Sequence, residues 1–155
     1  MGRAGVHDDF LTRASVQCLL GIIANDPEEA VYLNTATDSE GEPLHGDHDY
    51  RLRFGLGELP EVKAFWSLTM YGMDANLVHN PIDRYALGDR SPGLIQDADG
   101  GLTFHIQADA PDSGREPNWL PAPAGQPFYL VLRTYLPSAE ILEQAWRPPG
   151  LRRVS

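Results

Sequence analysis

From Glu29 to Leu136 the chain is written almost entirely in short apolar or alternating runs, each closed by a cluster of Gly, Pro, Asn or Asp. A period of two puts successive side chains on opposite faces, so such runs are strands with one face in a core, and the breakers between them are turns. The runs are 30–37, 48–54, 62–71, 84–87, 93–96, 102–107 and 128–135. Asp38-Ser39-Glu40-Gly41 and Asp97-Ala98-Asp99-Gly100 are the clearest turns, the second of hairpin type. No helical period intervenes. The pattern therefore predicts a mainly β fold, an antiparallel β-sandwich, jelly-roll-like domain or open barrel, in preference to a parallel sheet.

Helical signals lie only at the two ends. Phe10, Ala14, Val16, Leu19, Leu20, Ile22 and Ile23 recur at mixed three- and four-residue spacing behind caps at Asp8 or Asp9, which predicts a helix over 9–24, stopped by Asn25-Asp26-Pro27. A short helix over 138–144 follows Pro137, with Ser138 at its start. The 155 residues then divide into an N-terminal helix, a β-rich core over 29–136, and a short helix and tail over 138–155, all in one domain. A chain of this length buries roughly 70% of its unfolded surface and needs no staple.

Composition narrows the partners. Twelve Lys plus Arg against 22 Asp plus Glu leave a net charge of −10, an acidic field that repels phosphate backbones and anionic lipid. Nucleic acid and membrane surface are not expected. The single cysteine, Cys18, allows no intramolecular disulfide and sits in the apolar stripe of the first helix as a small core residue. With no apolar run of roughly 18 residues and no signal-like start, the expectation is a cytoplasmic protein.

Alternation sorts each strand into a core face and a second face. The second faces collect Arg51 and Arg53; Thr103, His105 and Gln107; Tyr129, Val131, Arg133 and Tyr135. The run 62–71 is apolar on both sides, Trp66, Leu68 and Met70 against Phe65, Ser67, Thr69 and Tyr71, which marks a central strand. If these second faces adjoin, they form a cleft of rings and convergent polar groups suited to a small molecule. The structural alternative is an antiparallel sheet with one solvated face.

Each remaining candidate has a functional and a structural reading. His105 is the best-placed general acid or base, its imidazole titrating near neutrality when unperturbed, or else it bonds a neighbouring strand. His45-Gly46-Asp47-His48-Asp49 has metal-ligand chemistry but lacks a fixed third ligand, for which His79 or His105 would serve; a solvated turn explains it equally. Arg84 and Arg90, with Asp83 and Asp89, either grip a carboxylate or lock loops over the sheet edge. Asn118-Trp119-Leu120-Pro121-Ala122-Pro123 reads as a loop plug or as a ligand platform. No nucleophile motif, Gly-x-Gly-x-x-Gly or Gly-Lys-Ser/Thr loop is present, so no cofactor is expected.

Phe65-Trp66-Ser67-Leu68-Thr69-Met70-Tyr71, Asn80-Pro81-Ile82 with Arg84-Tyr85 and Gly88-Asp89-Arg90, Asn118-Trp119-Leu120-Pro121-Ala122-Pro123 and Trp146-Arg147-Pro148-Pro149 together resemble the family called domain of unknown function 1214. Pro27-Glu28-Glu29-Ala30-Val31-Tyr32 and Asp99-Gly100 with Leu102-Thr103 fit as well. The resemblance implies a β-rich sandwich, commonly the C-terminal part of a larger protein with a second uncharacterised domain, whereas a stand-alone domain is expected here. It implies a shared framework of Trp66, Tyr71, Asn80, Arg84, Tyr85, Asp89, Arg90, Asn118 and Trp119, and supplies no reaction. The chain departs from the family after Tyr71, where Gly72-Met73 stands in place of the usual acidic residue.

The functional expectation is a small-molecule binder, or a cofactor-independent isomerase, cyclase or lyase, working in a cleft on the polar sheet face. His105 would move the proton, with Tyr71 and Tyr129 as hydrogen-bond donors. Arg53, Arg84 and Arg133 would anchor an anionic oxygen, and Trp66, Asn118 and Trp119 would complete the pocket. The alternatives are a non-catalytic module for a ligand, a second copy or a separate partner domain, and a metal-dependent hydrolase.

Overall fold

A computed structural model describes residues 25–154. The helix expected over 9–24 lies outside the described residues. The elements are β1 (Ala30–Thr35), β2 (Tyr50–Phe54), β3 (Val62–Gly72), β4 (Ala86–Gly88), β5 (Leu102–Gln107), a 3₁₀ turn (Glu116–Asn118), β6 (Trp119–Pro121), β7 (Phe128–Pro137), α1 (Ala139–Leu142) and β8 (Arg152–Arg153). They form two four-stranded sheets, β1-β7-β3-β4 and β6-β5-β2-β8.

The two sheets share one core, built by the alternation read from sequence. Trp66, Leu68 and Met70 of β3 and Phe128, Leu130 and Leu132 of β7 meet Tyr50, Leu52 and Phe54 of β2 and Leu102, Phe104 and Ile106 of β5. Aromatic side chains bridge the layers: Trp66 lies 5.9 Å from Phe54 and 6.0 Å from Phe104, and Tyr50 lies 5.9 Å edge-on to Phe128. Such pairs add roughly 0.5–1.5 kcal/mol each beyond the area they bury. β3 is an inner strand, paired with β7 on one side and β4 on the other, as its two covered faces require. Gly88 permits the second pairing, because a Cβ there would sit 2.2 Å from the Trp66 carbonyl oxygen.

The turn at Asp38 also forms as read: its carboxylate accepts the backbone N–H groups of Glu40 and Glu42 at 2.9 and 3.0 Å. The short C-terminal helix follows Ser138 but is shorter than expected.

Three expectations change. The fold is not wholly antiparallel, since β5 and β6 run parallel, with His105 opposite Trp119 and Gln107 opposite Pro121. Trp119–Pro121, expected in a loop, is thus a short strand, which Pro121 can join because β6 lies at a sheet edge. Residues 93–96, expected as a strand, make no ladder; a side chain holds them instead. The tail adds β8 against β2, buries Leu151, and ties Trp146 Nε1 to the Glu58 carbonyl oxygen at 3.1 Å.

Candidate functional site

The expected cleft requires the polar faces of several strands to adjoin. Instead, the structure places them on opposite outsides of the molecule. Tyr71 of β3 is opposite Tyr129 of β7, and Ser67 opposite Arg133, on the side of the first sheet that faces away from the core. Arg51 is opposite His105, and Arg53 opposite Thr103, on the outward side of the second sheet. The whole core separates His105 from Tyr71, Tyr129 and Arg133. This corrects the convergence expected from sequence.

On the first sheet the rings form a continuous band. Tyr71 and Tyr129 stack at 5.5 Å, Phe65 and Tyr135 stack at 4.3 Å, and Tyr32 meets Tyr135 edge-on at 6.3 Å. Arg133 joins the two ends: its Nη2 donates to the Tyr71 hydroxyl at 2.7 Å, and its guanidinium lies 5.3 Å from the Tyr71 ring and 5.8 Å from the Tyr32 ring. Arg90 lies over Phe65 at 4.3 Å. Partial burial, with Tyr71 nearby, raises the Tyr129 hydroxyl above its ordinary pKa.

On the second sheet, His105 is 7% exposed and its Nδ1 has no hydrogen-bond partner. Burial, then the positive charges of Arg51 and Arg115, push its pKa down to about 4, against the weaker opposing pull of Asp97. At neutral pH the ring is uncharged and holds no acid proton to give. Arg51 donates to the Gln107 side-chain oxygen at 2.8 Å, while Arg53 pairs with Asp97 and Asp99.

The other candidates hold loops to the frame. Arg84 donates to the carbonyl oxygens of Glu116 and Trp119 at 2.6 and 3.0 Å and pairs with the Glu116 carboxylate at 2.9 Å. Asn80 accepts the Arg84 N–H at 3.0 Å and donates to the carbonyl oxygens of Val78 and Arg84 at 3.1 and 3.0 Å. Trp119 Nε1 donates to the Gln107 carbonyl oxygen at 2.9 Å. Asn118, 4% exposed, bonds only backbone among the contacts it makes to Ile95 and Thr103. His45 pairs with Asp47 at 3.2 Å and His48 meets Tyr50 edge-on. Among the described residues no group of three or more His, Cys, Asp or Glu side chains comes together.

A cleft of ligand size lies elsewhere among the described residues. About 400 Å³ opens between the sheets where β3 and the end of β4 face β5, lined by Leu59, Trp66, Asp89, Leu94, Gln96 and Leu102. That volume lies within the roughly 300–1,000 Å³ range of small-molecule sites. Asp89 is held at the rim by accepting the Trp66 backbone N–H at 3.1 Å on Oδ1. Of these residues, sequence reasoning assigned only Trp66 to a pocket. The sequence marks Asp89 as a salt-bridge partner and places Leu94 and Gln96 in the run 93–96 and Leu102 in the run 102–107; no local pattern marks Leu59.

Two sheets around one core, with a cleft where their edges part, define a mainly β domain. The family described as protein of unknown function (DUF1214) matches residues 29–139, and the chain belongs to it. The VPA0106 protein from Vibrio parahaemolyticus is similar in structure, with a TM-score of 0.76 and 33% identity, covering 96% of this chain and 36% of that one. An uncharacterized protein from Burkholderia cenocepacia shares the fold with a TM-score of 0.57 and 18% identity, over 89% of this chain and 32% of that one. The chain thus spans about a third of the length of each. Among curated proteins none matches. No helix of the described residues is long and apolar enough to cross a membrane.

Proposed function

We propose that this domain binds a small amphipathic molecule in the cleft beside Trp66, with an apolar body and a cationic or hydrogen-bond-donating head. The observation that carries the reading is the makeup of that cleft: Leu59, Leu94, Leu102 and Trp66 supply apolar walls, and Asp89 and Gln96 the polar groups. The chain's charge of −10 favours a cation over an anion at the Asp89 rim. Acid–base catalysis by the expected set draws no support from the geometry, because His105 lies on the far side of the second sheet from Tyr71 and Tyr129.

Phenethylamine and phenylacetate, matched in ring and opposite in charge, test the reading by backbone amide shifts on titration. The amine should produce saturable shifts clustered at Asp89, Leu94 and Leu102, and phenylacetate should not. Asp89→Asn, which keeps an acceptor for the Trp66 N–H, should weaken the amine about tenfold, the order of one charge-assisted hydrogen bond. Equal binding of both probes, or shifts scattered elsewhere, would reject the cleft as the site.

A further inference from the structure

A row of positive groups crosses the outer face of the second sheet. Arg152 of β8 stands opposite Arg51 of β2, Arg51 stands opposite His105 of β5, and His105 stands opposite Trp119 of β6. Residues directly opposite in a ladder share a face, so Arg152, Arg51 and His105 are neighbours on the side turned away from the core. Like charges in that relation destabilise a strand pair unless something offsets them.

The described chain offsets them little. Arg53 pairs with Asp97 and Asp99, and Arg84 with Glu116, whereas neither Arg51 nor Arg152 takes part in an ion pair among the described residues. The charge of Asp49 reaches Arg51, but so does that of Arg115, from the loop ahead of the 3₁₀ turn, and Arg115 acts on His105 too.

Arg51 is also held ready. Its hydrogen bonds leave from Nη1, to the Gln107 side-chain oxygen at 2.8 Å and the Tyr50 carbonyl oxygen at 2.9 Å. These fix the guanidinium while Nε and Nη2, an edge that meets two oxygens in parallel, bond nothing among the described residues. Beside it His105 is buried, and its Nδ1 has no partner. In native proteins a buried polar atom without a partner calls for a reason, and a role at a binding site is one.

We propose that this face binds a small oxyanion, a phosphate or carboxylate group, gripped by the Nε and Nη2 edge of Arg51, with Arg152 and Arg115 adding charge and the His105 ring alongside. At physiological ionic strength charges are screened over about 8 Å, so these arginines, and not the chain's net charge of −10, set the field at the site. The site lies outside the second sheet and does not depend on the cleft beside Trp66, which opens between the sheets. The charged groups acting on His105 are Arg51 and Arg115, which disfavour its proton, and Asp97, which favours it; Trp119 is its neutral neighbour from β6. An anion held by the arginines would counter the first two.

Inorganic phosphate and succinate, each titrated into the full chain at constant ionic strength with chloride as reference, test the site through backbone amide shifts and the His105 ring resonances. At least one of them should give saturable shifts centred on Arg51, His105 and Arg152, and the tighter of the two assigns the group as phosphate or carboxylate. Arg51→Gln should weaken binding about tenfold, the order of one charge-assisted hydrogen bond. Arg152→Gln, in an exposed strand of two residues, should weaken it about threefold and decides the matter if Arg51→Gln does not fold. Arg133→Gln removes the same charge from the first sheet and should leave binding unchanged. At saturation the pKa of His105 should rise by about one unit. Shifts no larger than those with chloride would overturn the proposal, as would binding unaffected by Arg152→Gln, equal losses in Arg152→Gln and Arg133→Gln, or a His105 pKa that does not move.

Discussion

The side chain of Asn118 pairs with the peptide of Ile95 in both directions: Oδ1 accepts the Ile95 N–H at 2.8 Å, and Nδ2 donates to the Ile95 carbonyl oxygen at 2.7 Å. The same amide donates to the Thr103 carbonyl oxygen at 2.9 Å, so one side chain fastens the 93–96 segment to β5. A buried amide thus does what a strand ladder would have done, and it shapes one wall of the cleft, through Leu94 and Gln96.

Asn118→Ala should therefore cost about 2–4 kcal/mol, because it strips partners from backbone groups that are shielded from water. Urea unfolding measures it; a loss below about 1 kcal/mol would mean that water replaces the amide. Asn118→Asp should be no better, since it keeps the acceptor for Ile95 N–H but turns a carboxylate towards two carbonyl oxygens.

His105 makes stability depend on pH. Its folded pKa of about 4 lies below the ordinary 6.5, so the unfolded chain binds the proton more readily between those values. Stability from this group is present above about pH 6.5 and is lost as the pH falls towards 4, by on the order of 3 kcal/mol. In His105→Gln the slope of unfolding free energy over that window should flatten. An unchanged slope would assign the dependence to other groups.

Gly46→Ala should destabilise by more than about 3 kcal/mol, the range of severe backbone clashes. An added Cβ would lie 1.7 Å from the Pro123 carbonyl oxygen and 2.6 Å from its carbon, which are main-chain atoms with no rotamer to change. Gly114→Ala, with nothing within 4 Å, should stay within about 0.5 kcal/mol and serves as the control.

The Arg133 to Tyr71 bond predicts a coupled pair. Tyr71→Phe keeps the ring on Tyr129 but removes the acceptor, at a cost of about 0.5–1 kcal/mol for a half-buried site. In a double-mutant cycle with Arg133→Met the two changes should couple by a similar amount, and additive effects would show that the bond contributes nothing measurable.

Local patterns made much of the fold legible. The six-residue run 102–107 is β5 with the boundaries read from alternation, because Leu102, Phe104 and Ile106 can be buried together only on one face of a strand. The Asp38 turn was equally clear, since an Asp side chain bonds the backbone just beyond it. Residues 93–96 and 119–121 misled for a common reason. Gly93-Leu94-Ile95-Gln96 looks like a strand, and Trp119-Leu120-Pro121 looks like a loop, yet whether a run joins a ladder depends on a neighbour that offers free N–H and C=O groups. His105 and Trp119 stand opposite each other across β5 and β6, while Ile95 meets a side chain.

The candidate site shows the same division. Sequence alone determined which residues of each strand share a face, the turns, the acidic surface and membership of the family, because these follow from side-chain period and type. Tertiary structure decided which faces adjoin: the pairing of Tyr71 with Tyr129 in one sheet and of Arg51 with His105 in the other set two polar surfaces on opposite outsides of one core. Strand partners lie far apart along the chain, and the period of two is blind to which sheet a strand enters. The cleft beside Trp66 exists only because two separately assembled edges part there.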